Sequence, residues 1–432
     1  MKRAYINGIL LDGTIDMEPL KGAVILTDGE IIERVISPED NQEFVLDDYE
    51  IVDLGGKYLM PGLINLHVHL PGSGKPQKRK RNLAKLIGLL TGSAYGQKVG
   101  RQMCAEYAQL ELFSGVTTIR TVGGIADFDT VVRDRIAAGE LQGPRILASN
   151  MAVSVPEGHM AGTMAYIAES EEDARKYVQF IAKDKPDLIK LMITGGVLDA
   201  TVKGEPGALK MPPAYVKAAC EEAHKLHLPV AAHVESPEGV KVALANGVNT
   251  IEHGAMPDEE MIRLFQEKQA SLVTTISPAL PFVVLEKSKK YMSEVEQYNG
   301  RLVLEGTIEC ARQCLEHGIV VGLGNDVGCP YVTHYDMWRE LYYFHKYVGV
   351  SNGFALHTAT QKNAEIAGIA DITGTIAEGK AADFIVTEDN PLEDIRALRN
   401  ISMVVARGKQ IDNRKIKKIG RVERELNKIL MS

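Results

Sequence analysis

The chain has 432 residues, 45% hydrophobic and 25% charged. These are ordinary globular values, which exclude a disordered, collagenous or disulfide-scaffold protein. Lys and Arg number 49 against 57 Asp and Glu, a net charge of -8. That acidic balance argues against nucleic acid or an anionic membrane as the partner.

The first sixty residues read as short strands. Residues 3–7, 23–26 and 31–36 are strand-like, Thr27-Asp28-Gly29-Glu30 is a turn, and Gly55-Gly56 precedes another strand. The C-terminal part returns to this style at 382–386 and 402–406, with a hairpin turn at Arg407-Gly408-Lys409. The economical reading is one small discontinuous β-sandwich built from both termini, 1–60 and 369–432, with a domain of a different kind inserted at 61–368. The tail after Asn413 is basic and helical in pattern.

The inserted part alternates. Eight short apolar runs, at 63–67, 117–120, 145–148, 188–191, 230–233, 250–253, 272–275 and 320–324, are separated by helix signals. Ser170-Glu171-Glu172-Asp173 opens like a capping box. Pro212-Pro213, Pro237-Glu238 and Pro257-Asp258 each open a further helix. Eight strand–helix units imply a (β/α)8 TIM barrel. A doubly wound open sheet is the alternative, weakened because no G-x-G-x-x-G follows an early strand. Residues 71–100 interrupt the first unit with six glycines and the basic run Lys78-Arg79-Lys80-Arg81. This segment reads as a lid, an oligomer contact or a solvated loop with a short helix. No apolar stretch reaches the length of a signal peptide or a membrane span, so the expected compartment is cytoplasmic.

The polar residues at the strand ends carry the chemistry. The first run ends in His67-Val68-His69, and residues i and i+2 of an extended chain point to one side. The fourth run contributes Lys190, the fifth His233, the sixth His253, and Asp326 follows the eighth. In a barrel these ends converge on one mouth. Four histidines with a carboxylate, and no C-x-x-C among the five cysteines, suit catalytic zinc or a similar divalent ion. An ammonium has no lone pair for a metal. Lys190 is therefore either a structural residue paired with an acid or carboxylated by CO2 to a carbamate, which could bridge two metals. His159, Arg120, Tyr331 and His334 stand at or near the same strand ends; each has a structural reading beside that of a substrate contact. Five other histidines, among them His224 and His357, read as structural.

Met60-Pro61-Gly62-Leu63-Ile64-Asn65-Leu66-His67-Val68-His69, Ile189-Lys190-Leu191-Met192-Ile193-Thr194-Gly195-Gly196, Val230-Ala231-Ala232-His233, Ile251-Glu252-His253-Gly254 and the segment Gly374 to Asp383 together resemble the metal-dependent amidohydrolase superfamily, in its prolidase-like and imidazolonepropionase-like branch. The resemblance covers nearly the whole chain. It implies one divalent metal ion on His67 and His69, a second on His233 and His253, carboxylated Lys190 between them, and Asp326 as ligand and general base. It also implies His159 as a substrate-contacting residue. The sequence departs from the family pattern at Asn65, commonly Asp, and at Asn325, more usually Thr; neither removes a ligand.

The activity expected is hydrolysis of a small amide: an X-Pro or other dipeptide, an N-acyl amino acid, or a cyclic amide of the imidazolonepropionase type. A mononuclear deaminase on the same barrel would carry Glu in place of a carbamate and a His-x-x-Glu pattern, whereas here the spacing is His233-Val234-Glu235. A non-catalytic scaffold should lack ligands, and all six are present. The expected partners are a small-molecule amide substrate and further copies of the chain in a homo-oligomer.

Overall fold

The computed structural model describes residues 1–39, 45–76, 83–289 and 292–431. It separates into two compact units. The first holds residues 1–65, 109–119 and 335–417, and the second holds 66–108, 120–334 and 418–432.

The chain builds a (β/α)8 barrel. Its strands are Leu63–Val68, Val116–Thr121, Arg145–Leu147, Ile189–Met192, Val230–Val234, Thr250–His253, Ser271–Thr274 and Val321–Leu323, taken below as the first to the eighth. From the fourth to the eighth they pair in parallel and in chain order. The ring closes where Asp326 N–H donates to His67 O and His69 N–H to Val327 O. Strands buried on both faces read as near-continuous apolar runs, and the first, second, fourth, fifth and sixth are buried at every position, their few charged residues included. The eighth approaches the first so closely that a Cβ on Gly324 would lie 2.4 Å from the His67 Cβ. Only glycine fits there.

The helices start where their caps stand. Ser170 accepts from the Asp173 N–H at the head of Glu171–Ala182, Ser236 from Gly239 before Pro237–Ala245, and Asp258 from Met261 before Glu259–Lys268. Within 83–100 the chain is more helical than a solvated loop with one short helix. Leu83–Thr91 and Ala94–Phe113 are helices, and no residue of Leu83–Thr91 is buried. The run Lys78-Arg79-Lys80-Arg81 lies outside the described residues. The tail forms the helix Gly420–Ile429, which buries Val422, Leu426 and Ile429.

In the first unit, among the described residues, Lys2–Ile6, Val24–Asp28, Ile31–Ile36 and Glu50–Asp53 form one sheet. A second joins Tyr58–Pro61 to Phe384–Thr387 and Ile401–Ala406. Tyr5 and Ile25 from the first sheet and Leu59, Phe384 and Val405 from the second share one buried cluster, where the Tyr5 and Phe384 rings meet edge to face at 4.9 Å. This is the packing of a β-sandwich. No helix among the described residues is long and apolar enough to cross a membrane.

Candidate active site

The strand ends of the second unit bring His67, His69, Lys190, His233, His253 and Asp326 together. The His67 and His253 ring centroids are 4.8 Å apart, and those of His233 and His253 4.7 Å. The Nε2 atoms of His67 and His69 lie 3.5 and 3.2 Å from Asp326 Oδ1.

Each ring is tied at one nitrogen. His67 Nδ1 donates to Glu252 Oε2 at 2.7 Å, His69 Nδ1 to Gly123 O at 2.8 Å, and His233 Nε2 to Gly195 O at 3.2 Å. Carbonyl and carboxylate oxygens only accept, so these bonds fix the tautomer and leave the opposite nitrogen with its lone pair. His253 Nδ1 bonds the Thr275 hydroxyl at 2.7 Å. Burial lowers the His67 pKa to about 4 and takes His233 and His253 well below the usual range, so these rings are neutral near pH 7. Burial opposes ionisation of Asp326, but the facing His67 and His69 rings outweigh it and hold its carboxyl well below the usual value. Neutral imidazoles around an ionised carboxylate are a donor set for a divalent cation. His67, His253 and Asp326 form one group with donor atoms within 4.8 Å of one another, and His233, Glu235 and His253 form a second.

Lys190 is 1% exposed, and its Nζ has no hydrogen-bond partner. Burial and nearby Arg120 lower its pKa to about 8 against the opposing pull of Glu252 and Asp326. An unpartnered buried ammonium is costly. Removal of the positive charge would relieve that cost, and a carbamate on Nζ is one group that does so.

Arg120 is 4% exposed, and its guanidinium is fully engaged. It donates to Leu66 O at 2.8 Å, Thr250 Oγ1 at 3.2 Å and Glu252 Oε1 at 2.6 Å. Burial works against ionised Glu252, but Arg120 and His67 keep its carboxyl far below the ordinary range. Glu252 thus links Arg120 to the ring of His67.

His159 pairs through Nδ1 with the Asp199 carboxylate and stacks on the His233 ring, centroids 4.2 Å apart and planes 7° apart. Tyr331 is buried with φ +72°, its N–H donating to Gly74 O at 2.8 Å. His334 bonds Gly72 O at 2.7 Å and stacks on Tyr107. Cys329 donates its thiol to Asp326 Oδ2 at 3.4 Å, the oxygen other than the one facing His67 and His69.

Three participants were given no role in the sequence reading. Glu252 stands beside His253 in a buried strand, where a charged side chain needs a partner; that signal was available. Glu235 stands two residues after His233, on the alternation that pairs His67 with His69. Asp199 lies in a loop, and no spacing points to it.

The amidohydrolase family profile matches residues 58–411. Ochratoxinase of Aspergillus niger is 26% identical over 420 residues, covering 91% of this chain and 82% of that protein. A crystal structure from Bifidobacterium longum, described as a candidate prolidase, is similar with a TM-score of 0.86 at 33% identity, covering 99% of each chain. A Xaa-Pro dipeptidase with methionine bound in its active site is similar with a TM-score of 0.83 at 27% identity, covering 95% of this chain and 100% of that one. The profile spans every barrel strand and most of the sequence, and the chain therefore belongs to the amidohydrolase family, as a hydrolase acting on amide bonds.

Proposed function

We propose that this hydrolase cleaves small amides with a free carboxylate, an X-Pro or other dipeptide or an N-acyl amino acid, and works with two divalent metal ions, zinc or a similar cation. His67, His69 and Asp326 would hold one ion, His233 and His253 the other, with carboxylated Lys190 between them. The observation that carries this reading is the set of four rings, each tied at one nitrogen, around the partnerless Lys190 Nζ. The similarity to a Xaa-Pro dipeptidase agrees with it.

Bound divalent ions would supply acidified water and a polarised carbonyl. The chain's own residues do the rest. Asp326, ionised at neutral pH, takes a proton from the attacking water and hands it to the departing amine. Glu252, braced by Arg120, keeps the His67 ring oriented and raises its basicity as a ligand. Arg120 is therefore assigned to Glu252 rather than to substrate. His159, held by Asp199 beside His233, and Tyr331 are assigned to the substrate's polar end.

The test is a library of dipeptides and N-acyl amino acids, incubated with the protein after reconstitution with zinc and bicarbonate. Turnover of members of one of these classes, abolished by a chelator and restored by metal, is the expected result. A fully metal-loaded protein that leaves the whole library intact would overturn the substrate assignment.

A further inference from the structure

The fifth strand repeats the device of the first. Leu63–Val68 carries His67, with His69 one residue beyond its end; Val230–Val234 carries His233, with Glu235 one residue beyond its end. In both, the i and i+2 side chains leave the strand on the same side. The donor atoms of His233, Glu235 and His253 lie within 4.8 Å of one another. The Glu235 side chain is also held in place. Its N–H donates to Thr194 Oγ1 at 3.1 Å, and its Oε2 accepts from Val197 N–H at 3.1 Å. Its charged neighbours are carboxylates, Asp326 and Asp199, and no cationic side chain among the described residues bonds it.

We propose that Glu235 is a metal ligand, completing with His233 and His253 a cation site that stands without Lys190. This rests on the reading of the barrel mouth as a metal centre and adds a donor to it. The donor chemistry favours a divalent metal over a substrate ammonium. The carboxylate would serve either, but two neutral imidazoles beside one carboxylate are the donor set of catalytic zinc sites. Tetrahedral zinc sets its ligand atoms about 3.4 Å apart, so the three groups, within 4.8 Å of one another, need to close by no more than about 1.4 Å. As the ion binds, Glu235 gives up any proton it holds, because the metal takes the ionised form. One consequence concerns the carbamate. With a carboxylate of its own, the second site can load before Lys190 is carboxylated, and the ion held there then faces the amine to be modified.

Chelator-stripped wild type, Glu235→Gln and Glu235→Asp are titrated with Co2+, following the visible absorption bands that report coordination, and with Zn2+ by calorimetry. Glu235→Gln is isosteric, and circular dichroism with the melting temperature of the metal-free proteins confirms that each variant folds. The expected result is that Glu235→Gln weakens one equivalent by at least about tenfold and alters its visible spectrum. In Lys190→Ala without bicarbonate, one ion still binds, and adding Glu235→Gln removes it. A Glu235→Gln protein that titrates as wild type does overturns the assignment, and a selective rise in KM for substrates with a free amino group would then place Glu235 on the substrate. Wild type that binds no metal would overturn the metal-centre reading itself, which separates the two failures.

Discussion

Lys190 and Asp326 carry opposite burdens at the barrel mouth. Lys190 is an unpartnered cation in a place that destabilises cations; Asp326 is a carboxylate held ionised. Replacing Lys190 by Ala should cost the several kcal/mol of a disrupted metal site, on the order of a thousandfold in rate. Short carboxylic acids should restore part of it, since the proposed carbamate would contribute only two oxygens and a charge. A Lys190→Ala enzyme with wild-type rate and metal content would return Lys190 to a structural role. Asp326→Asn keeps the size and one ligating oxygen but loses the base. Its turnover should fall about a hundredfold to ten-thousandfold, while elemental analysis still finds most of the metal. The six residues that meet at the barrel mouth could be picked out in the sequence because each stands in or just beyond the closing residues of an apolar run. Their supports could not: that Glu252 reaches both Arg120 and His67, or that Asp199 reaches His159, depends on which strands and loops the barrel makes neighbours.

Among the elements, the apolar runs marked the barrel strands and the capping residues marked the helix starts, because both are local signals. The Leu83–Thr91 and Ala94–Phe113 helices were hidden by glycines at 88, 92, 96 and 100, which lower helix propensity. Tertiary packing explains part of this. A Cβ on Gly100 would lie 2.3 Å from Phe128 Cε2, whereas one on Gly88 would meet nothing within 4 Å. The two positions should therefore respond to alanine with opposite signs. Gly88→Ala should stabilise by about 0.5–1 kcal/mol through helix propensity, and Gly100→Ala should destabilise by about 1–3 kcal/mol through overpacking against the Phe128 ring. Denaturant unfolding of the two variants checks both, and equal shifts would mean that packing against Phe128 does not set the sign.

At the scale of the molecule, the buried histidines make stability depend on pH. His67 titrates at about 4 in the fold, His233 and His253 also well below the ordinary 6.5. A base with a depressed folded pKa contributes stability that is full above about 6.5 and is lost as the pH falls through its folded value. Asp129 works the other way. Burial raises it to about 6, so its contribution grows as the pH falls from about 6 towards 4. At pH 5 His67 costs about 2 kcal/mol and Asp129 returns about 1.4 kcal/mol, at roughly 1.4 kcal/mol for each pKa unit, and His233 and His253 act in the same direction as His67. Burial raises Glu235 to about 8, so it too gains stability as the pH falls; with Glu235→Gln in place, the melting temperature of chelator-treated protein should fall between pH 7 and pH 5. Asp129→Asn should steepen that fall, and a melting temperature flat over this range would contradict the neutral-histidine assignment. The barrel and a terminal sandwich were legible because their periodicities differ, two for exposed strands against continuous apolar runs for buried ones. That both termini share one sandwich was legible as well; which strand of one pairs with which of the other, Tyr58–Pro61 with Phe384–Thr387, was not, because nothing local encodes a partner so distant.

That pairing bears on how the protein is made. Pro61 lies opposite Phe384, and Tyr58 opposite Thr387, partners more than three hundred positions apart. A growing chain leaves the ribosome from its N-terminus at roughly 5–20 residues per second. Tyr58–Pro61 must therefore wait on the order of fifteen seconds or longer for the strand that covers it, with an apolar edge open to wrong partners in the meantime. Chains released before Phe384 should aggregate, and synthesis stalled at about residue 380 should recruit chaperones that a chain completed through Ile401–Ala406 no longer holds.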